Sequence, residues 1–152
     1  FAYTLRNVEP LHQKVTPGRY PIEVVTVKNR IAAIRVRFDT DQDPVQWHPA
    51  NTPSGNGVYG VDAGNLAIFD AAGLSGLTNL NKEHAFDTFV ANNEPTVLTL
   101  TDDDDCVITS SGVGDGAYPA FWGFGENDTL VSLYLDFLLL VEQRDNNVLA
   151  TI

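Results

Sequence analysis

The sequence predicts an α+β fold that is mainly β: an antiparallel sheet, curled or folded into a sandwich, with one or two short helices around residues 70–92. Three observations carry this expectation. Short runs rich in Val, Ile, Thr, Tyr and Phe recur, bounded by Gly, Pro, Asn or Asp. Some of these runs alternate apolar and polar residues with a period of two. Helical spacing of apolar residues is confined to one region, and antiparallel sheets with helices to one side form the α+β class.

In chain order, Ala2 to Val8 reads as a first strand, and Pro10 with Pro17-Gly18 brackets a connection. Tyr20 to Val27 is rich in β-branched residues, which suit a pleated surface. Lys28-Asn29-Arg30 reads as a tight turn. Ile31 to Phe38 then alternates, with Ala32, Ile34, Val36 and Phe38 on one face and Arg35 and Arg37 on the other. That pattern marks a half-buried strand, and the two runs make an antiparallel hairpin.

Asp39 to Pro53 is polar and punctuated by proline, with a short strand at Val45 to Trp47. Val58 to Val61 and Leu66 to Phe69 flank Asp62-Ala63-Gly64-Asn65, which reads as a hairpin turn. Asp70 is placed to cap a short helix, Asp70 to Leu74. Lys82 to Asn92 is the better helix, because Ala85, Phe86, Phe89 and Val90 share one face at helical spacing. Val97 to Thr101 is a strand, and the acidic run Asp102 to Asp105 follows it.

Three strands in series come next, at Cys106 to Ser111, Ala117 to Phe124 and Thr129 to Val141. The first connection is Gly112-Val113-Gly114-Asp115-Gly116 and the second is the hairpin Gly125 to Asp128. Val148 to Ile152 reads as one more edge strand. No repeat and no second composition appear, so one domain over residues 1–152 is expected.

The formal net charge is -11, with fourteen Asp, six Glu and three Lys. Such a surface repels phosphate backbones and anionic lipids, which argues against nucleic-acid and membrane partners. It favours cationic partners, including basic proteins. Cys106 is the one cysteine, so no intrachain disulfide forms, and its apolar setting reads as a small buried hydrophobe. The chain starts at Phe1 and holds no methionine, which reads as a processed form or a fragment. A cytoplasmic location is favoured over secretion, which the missing starting methionine leaves open.

Four aspartates, Asp62, Asp70, Asp115 and Asp136, sit at turns or strands where convergence could build chemistry. Two or three together could hold a hard cation through oxygen or share protons as an acid–base pair. Alone, each is a cap or a hydrogen-bonded turn. Gly112, Gly114, Asp115 and Gly116, with Tyr118 and Trp122, are the candidate binding residues. Glycine is needed where φ is positive or where a ligand approaches the backbone, and the same pattern also makes an ordinary turn. At least one of the three glycines is expected to have positive φ. Asp39, Asp41 and Asp43 open like a calcium loop, but Pro44 replaces its glycine and Ala50 its terminal glutamate. His12, His48 and His84 lack ligand spacing, and no cofactor is expected. Trp47-His48 and Tyr118 with Trp122 are aromatic enough for a binding surface and equally suited to core or rim.

Three segments resemble the bacterial family called domain of unknown function 4241. They are Gly18-Arg19-Tyr20-Pro21-Ile22-Glu23-Val24-Val25 running on to Arg30 through Phe38; Tyr59-Gly60-Val61-Asp62-Ala63-Gly64 with Phe69-Asp70-Ala71; and Ser111 to Pro119 with Trp122-Gly123 and Asp136-Phe137. The resemblance implies a shared fold and carries no activity with it.

The residues therefore favour a non-catalytic binding or interaction module, in one version an acidic protein neutralising a basic partner as immunity proteins do. The rival is a carboxylate- or metal-dependent enzyme centred on Asp115 with Asp62 or Asp136. A self-assembling subunit is a third reading, raised by exposed edge strands.

Overall fold

The computed structural model describes residues 9–73, 77–92, 95–100, 104–139, 141–144 and 147–150. The expected hairpin is present. Strand β1 (Ile22–Val27) pairs antiparallel with β2 (Arg30–Arg37). Lys28 and Asn29 turn the chain with φ of 49° and 62°, the positive pair that matches strand twist in a tight hairpin. Strands β3 (Gln46–Pro49), β4 (Val58–Val61), β8 (Gly116–Phe124) and β9 (Leu130–Asp136) complete a six-stranded sheet. Its order is β1-β2-β9-β8, after which β3 pairs with one half of β8 and β4 with the other.

Register decides which residues share a face. Val36, Leu133, Trp122 and His48 are directly opposite one another in successive strands and line the inner face. Glu23, Arg35, Tyr134 and Phe121 form a row on the outer face. There Arg35 Nε donates to Glu23 at 2.6 Å, and Arg37 reaches both Glu23 and Asp43. Burial pushes the Glu23 carboxyl up, but the bond and charge of Arg35, then of Arg37, outweigh it and hold the group below its ordinary range. Ala32, Ile34 and Val36 are buried as the alternation predicts and Phe38 is half-buried, while Ile31 and Ala33 are buried as well.

Strands β5 (Asn65–Phe69), β6 (Thr96–Thr99) and β7 (Asp105–Ser110) form a second sheet in the order β5-β7-β6. It is the middle of three layers. Val107, Leu66 and Ile68 pack into the core against the large sheet. Cys106, Ile108, Ala67 and Phe69 point the other way, onto helix α1 (Asn79–Asn92) through Ala85 and Phe89. This is why Cys106 to Thr109 are all buried: β7 has a neighbour on each face. Thr78 and Asn81 cap α1 reciprocally, with Asn81 N donating to Thr78 Oγ1 and Thr78 N to Asn81 Oδ1. The helix thus starts three residues before the predicted Lys82. Val90 stays 57% exposed, so the apolar face is narrower than its spacing suggests.

Three expectations differ from the structure. Asp62 to Asn65 is no hairpin turn, because β4 pairs with β8 and β5 with β7. The last long strand stops at Asp136, where the carboxylate accepts Leu138 N at 2.7 Å and Leu138 turns to a φ of 59°. The strand expected at Val148 to Ile152 is present as β11 (Asn147–Ala150), paired with β10 (Val141–Arg144) in a separate hairpin, and residues 151–152 lie outside the described residues. At Asp70 the described residues show a turn closed by the carboxylate on Ala72 N, without an α-helix. The strand expected at Ala2 to Val8 and the carboxylates Asp102 and Asp103 also lie outside the described residues.

Gly123 fills a space with no room for a side chain. An added Cβ would lie 2.5 Å from Ser132 Oγ and 2.9 Å from the Trp47 ring. Trp47 is opposite Gly123 in the register and covers it, edge to face with Tyr134 at 5.7 Å.

Two outcomes test this packing. Val36→Asp should abolish cooperative thermal unfolding followed by circular dichroism, since an unpaired buried charge costs about 3–5 kcal/mol. Burial and the neighbouring Asp105 push the Cys106 thiol up to about 11. The native protein should therefore react with a thiol reagent about 100-fold more slowly than the urea-unfolded chain.

Candidate functional site

The glycine-rich loop is a corner. Residues 111–115 carry the chain from β7 in the small sheet to β8 in the large one. Residues 62–64 carry it from β4 in the large sheet to β5 in the small one. Because β4 pairs with β8 and β5 with β7, the two crossings lie side by side, as where strands switch sheets at a bend. Asp115 joins them. Its Oδ1 accepts both Ala63 N and Gly64 N at 2.8 Å. Ser111 N donates to Gly64 O at 3.0 Å, a second tie across the same corner.

Gly112 has φ of 56° and Gly114 of 117°, as the density of glycine predicts. A Cβ at Gly112 would also sit 2.9 Å from Phe137 Cβ, so the position needs glycine on both counts. Tyr118 is buried beneath the loop, its ring edge-on to Phe137 at 5.3 Å. Its hydroxyl lies 2.8 Å from Gly114 O and 3.1 Å from Ser111 O, so its one proton is shared between the two carbonyls. Gly116 opens β8, and Trp122, 5% exposed, faces the core beside Phe38.

The candidate carboxylates are engaged locally. Asp136 holds Leu138 N, and Asp70 holds Ala72 N. Asp62 is exposed at the end of β4. Asp39 accepts Asp41 N at 2.8 Å and Gln42 Nε2 at 2.9 Å, and Asp43 lies 3.5 Å from Arg37. Among the described residues no group of three or more His, Cys, Asp or Glu is arranged to hold a metal ion.

What sequence reasoning missed is a cleft of about 380 Å³ at the β3 edge of the large sheet. The N-terminal segment forms one wall. His12 N donates to Asn51 O at 2.8 Å, and Glu9 accepts both Ser54 N and Ser54 Oγ, bonds that hold its carboxyl below the ordinary range. Trp122 and Phe124 line it, and His48 stands edge-on to Phe124 at 5.4 Å. His12, Gln13, Asn51 and Asp128 complete its polar lining. Asp128 is held at φ of 57° in the β8–β9 hairpin. The Trp47-His48 pair was the available signal, but only the β3–β8 register brings His48 opposite Trp122.

The family described as Protein of unknown function (DUF4241) matches residues 3–135. The chain belongs to the DUF4241 family. The DUF4241 match takes in the corner at Asp115 and the cleft residues from His12 to Asp128, and it stops one residue short of Asp136. No curated protein and no solved structure matches the chain.

The corner geometry makes a graded prediction. Asp115→Ala should cost about 1–3 kcal/mol in urea unfolding, the scale for stranding hydrogen-bond donors. Asp115→Asn should cost about 1 kcal/mol or less, because one amide oxygen can still accept both N–H groups.

Proposed function

We propose that the protein is a non-catalytic binding module that takes a cationic side chain of a basic partner protein into the cleft beneath its N-terminal segment. The observation that carries this reading is the make-up of the cleft. Its lining combines the aromatic pair Trp122 and Phe124, the acidic Asp128, and the imidazole and amide residues His12, His48, Gln13 and Asn51. A guanidinium or ammonium group is attracted to an aromatic face and to a carboxylate, and both attractions grow as the group leaves water. The net charge of -11 would steer such a partner toward the surface before contact.

The backbone bonds of Asp115 and Asp136 support the same reading. Each accepts main-chain N–H groups within its own turn or corner, the environment of a structural cap. Gly112, Gly114, Gly116 and Tyr118 then shape the scaffold, and of the candidate binding residues Trp122 is the one that lines the cleft.

The test uses a Trp47→Phe protein, which leaves Trp122 as the single tryptophan, excited selectively beyond the tyrosine band. Titration with an arginine-rich peptide should give a saturable change in Trp122 fluorescence that weakens as salt is raised. Asp128→Asn, which preserves the left-handed turn, should weaken binding about fivefold to tenfold, about 1 kcal/mol. Equal binding by Asp128→Asn, or binding that leaves Trp122 unperturbed, overturns the assignment.

A further inference from the structure

A second concavity, of about 320 Å³, lies at the other end of β9 and shares no lining residue with the first. Its walls are Val27, Val113 and Leu139, and its polar groups are Lys28 and Arg30. In a chain with twenty acidic and nine basic residues, two cations lining one cleft, with no acid among the described residues that line it, are out of character. Among the described residues the ion pairs belong to Arg35 and Arg37, and neither Lys28 nor Arg30 has a carboxylate partner. From this we infer that the cleft binds an aliphatic carboxylate, with Lys28 and Arg30 holding the anion and the apolar walls holding the chain.

The parts are pre-positioned for that task. Arg30 donates from Nη1 to Gly112 O at 3.2 Å, which ties the hairpin to the corner loop and leaves the rest of its guanidinium fork open. Val113 stands 65% exposed on that loop. The loop beneath it is held by the Tyr118 hydroxyl and by Ser111 Oγ on Gly114 O, so the apolar wall is fixed before a ligand arrives. Lys28 adds an independent observation. It holds φ of 49° at a turn position that Gly or Asn occupies with least strain. The conformational cost of a lysine at that φ brings the turn no benefit, which points to a role for its ammonium elsewhere. The carboxylate could come from a small branched acid or from the C-terminus of a peptide ending in an apolar residue; the recognising chemistry is the same.

Binding of N-acetyl-leucine, and of a pentapeptide ending in free leucine, is measured by chemical-shift titration, with the amide of each as control. We expect at least one free acid to bind, its amide to bind at least about tenfold more weakly, and added salt to weaken the complex. Binding of the peptide alone assigns the source to a chain terminus, and binding of N-acetyl-leucine to a small acid. Lys28→Gly should melt no lower than the parent, since glycine relieves the positive φ, and should lose binding at least about tenfold. Val113→Asp, a change at an exposed side chain, should also abolish it. Absence of binding by both acids, equal binding of acid and amide, or an unchanged affinity in Lys28→Gly overturns the inference.

Discussion

One carboxylate oxygen, Oδ1 of Asp115, ties together the two places where the chain passes between sheets. The two strand pairs that meet there, β4 with β8 and β5 with β7, each belong to a different sheet. A bend of this kind exposes main-chain groups that neither ladder satisfies, and an unsatisfied group in a packed structure is costly. Asp115, the Tyr118 hydroxyl and Ser111 meet that demand from above, below and within the loop. This set of bonds ties the two crossings together at the edge of the core that both sheets share.

The unequal size of the layers shapes the surface. A three-stranded sheet cannot cover a six-stranded one, and the N-terminal segment covers part of the remainder through Leu11, Val15 and Tyr20. The cleft lined by Trp122 and Phe124 lies at the margin of that covering, with His12 and Gln13 of the N-terminal segment in its lining. The Lys28 and Arg30 concavity arises at the opposite end of β9, where the first hairpin turn meets the corner loop. The two recesses also differ in charge. One carries a carboxylate in its lining and the other a pair of cations, so they suit ligands of opposite sign.

Local patterns revealed much of the fold. The alternation of Ile31 to Phe38 identified a strand and the residues of its buried face, because period and side-chain direction are properties of a single strand. The turn at Lys28 to Arg30 and the positive φ of at least one corner glycine were legible for the same reason: they are short-range conformations with few residues able to adopt them. Pairing was harder to read. Asp62 to Gly64 has the composition of a hairpin turn, yet its flanking strands separate into different sheets, since turn chemistry bends the chain without choosing its partners. The long final strand was overextended because Leu138 and Leu139 continue an apolar run, whereas the Asp136 side chain ends it by bonding the backbone two residues on.

By itself, then, the sequence determined the class of the fold, the place of its first hairpin turn, the need for positive φ within the glycine-rich corner and the acidic composition of the chain. Each depends on composition or on interactions within a few residues. The tertiary structure alone decided that Asp115 reaches across to Ala63 and Gly64, more than fifty residues away. It alone brought His12 and His48 to the walls of one cleft, and Lys28 and Val113 to another. Those juxtapositions follow from strand order and sheet packing, which arise from the simultaneous burial of many apolar faces and leave no mark at any single position.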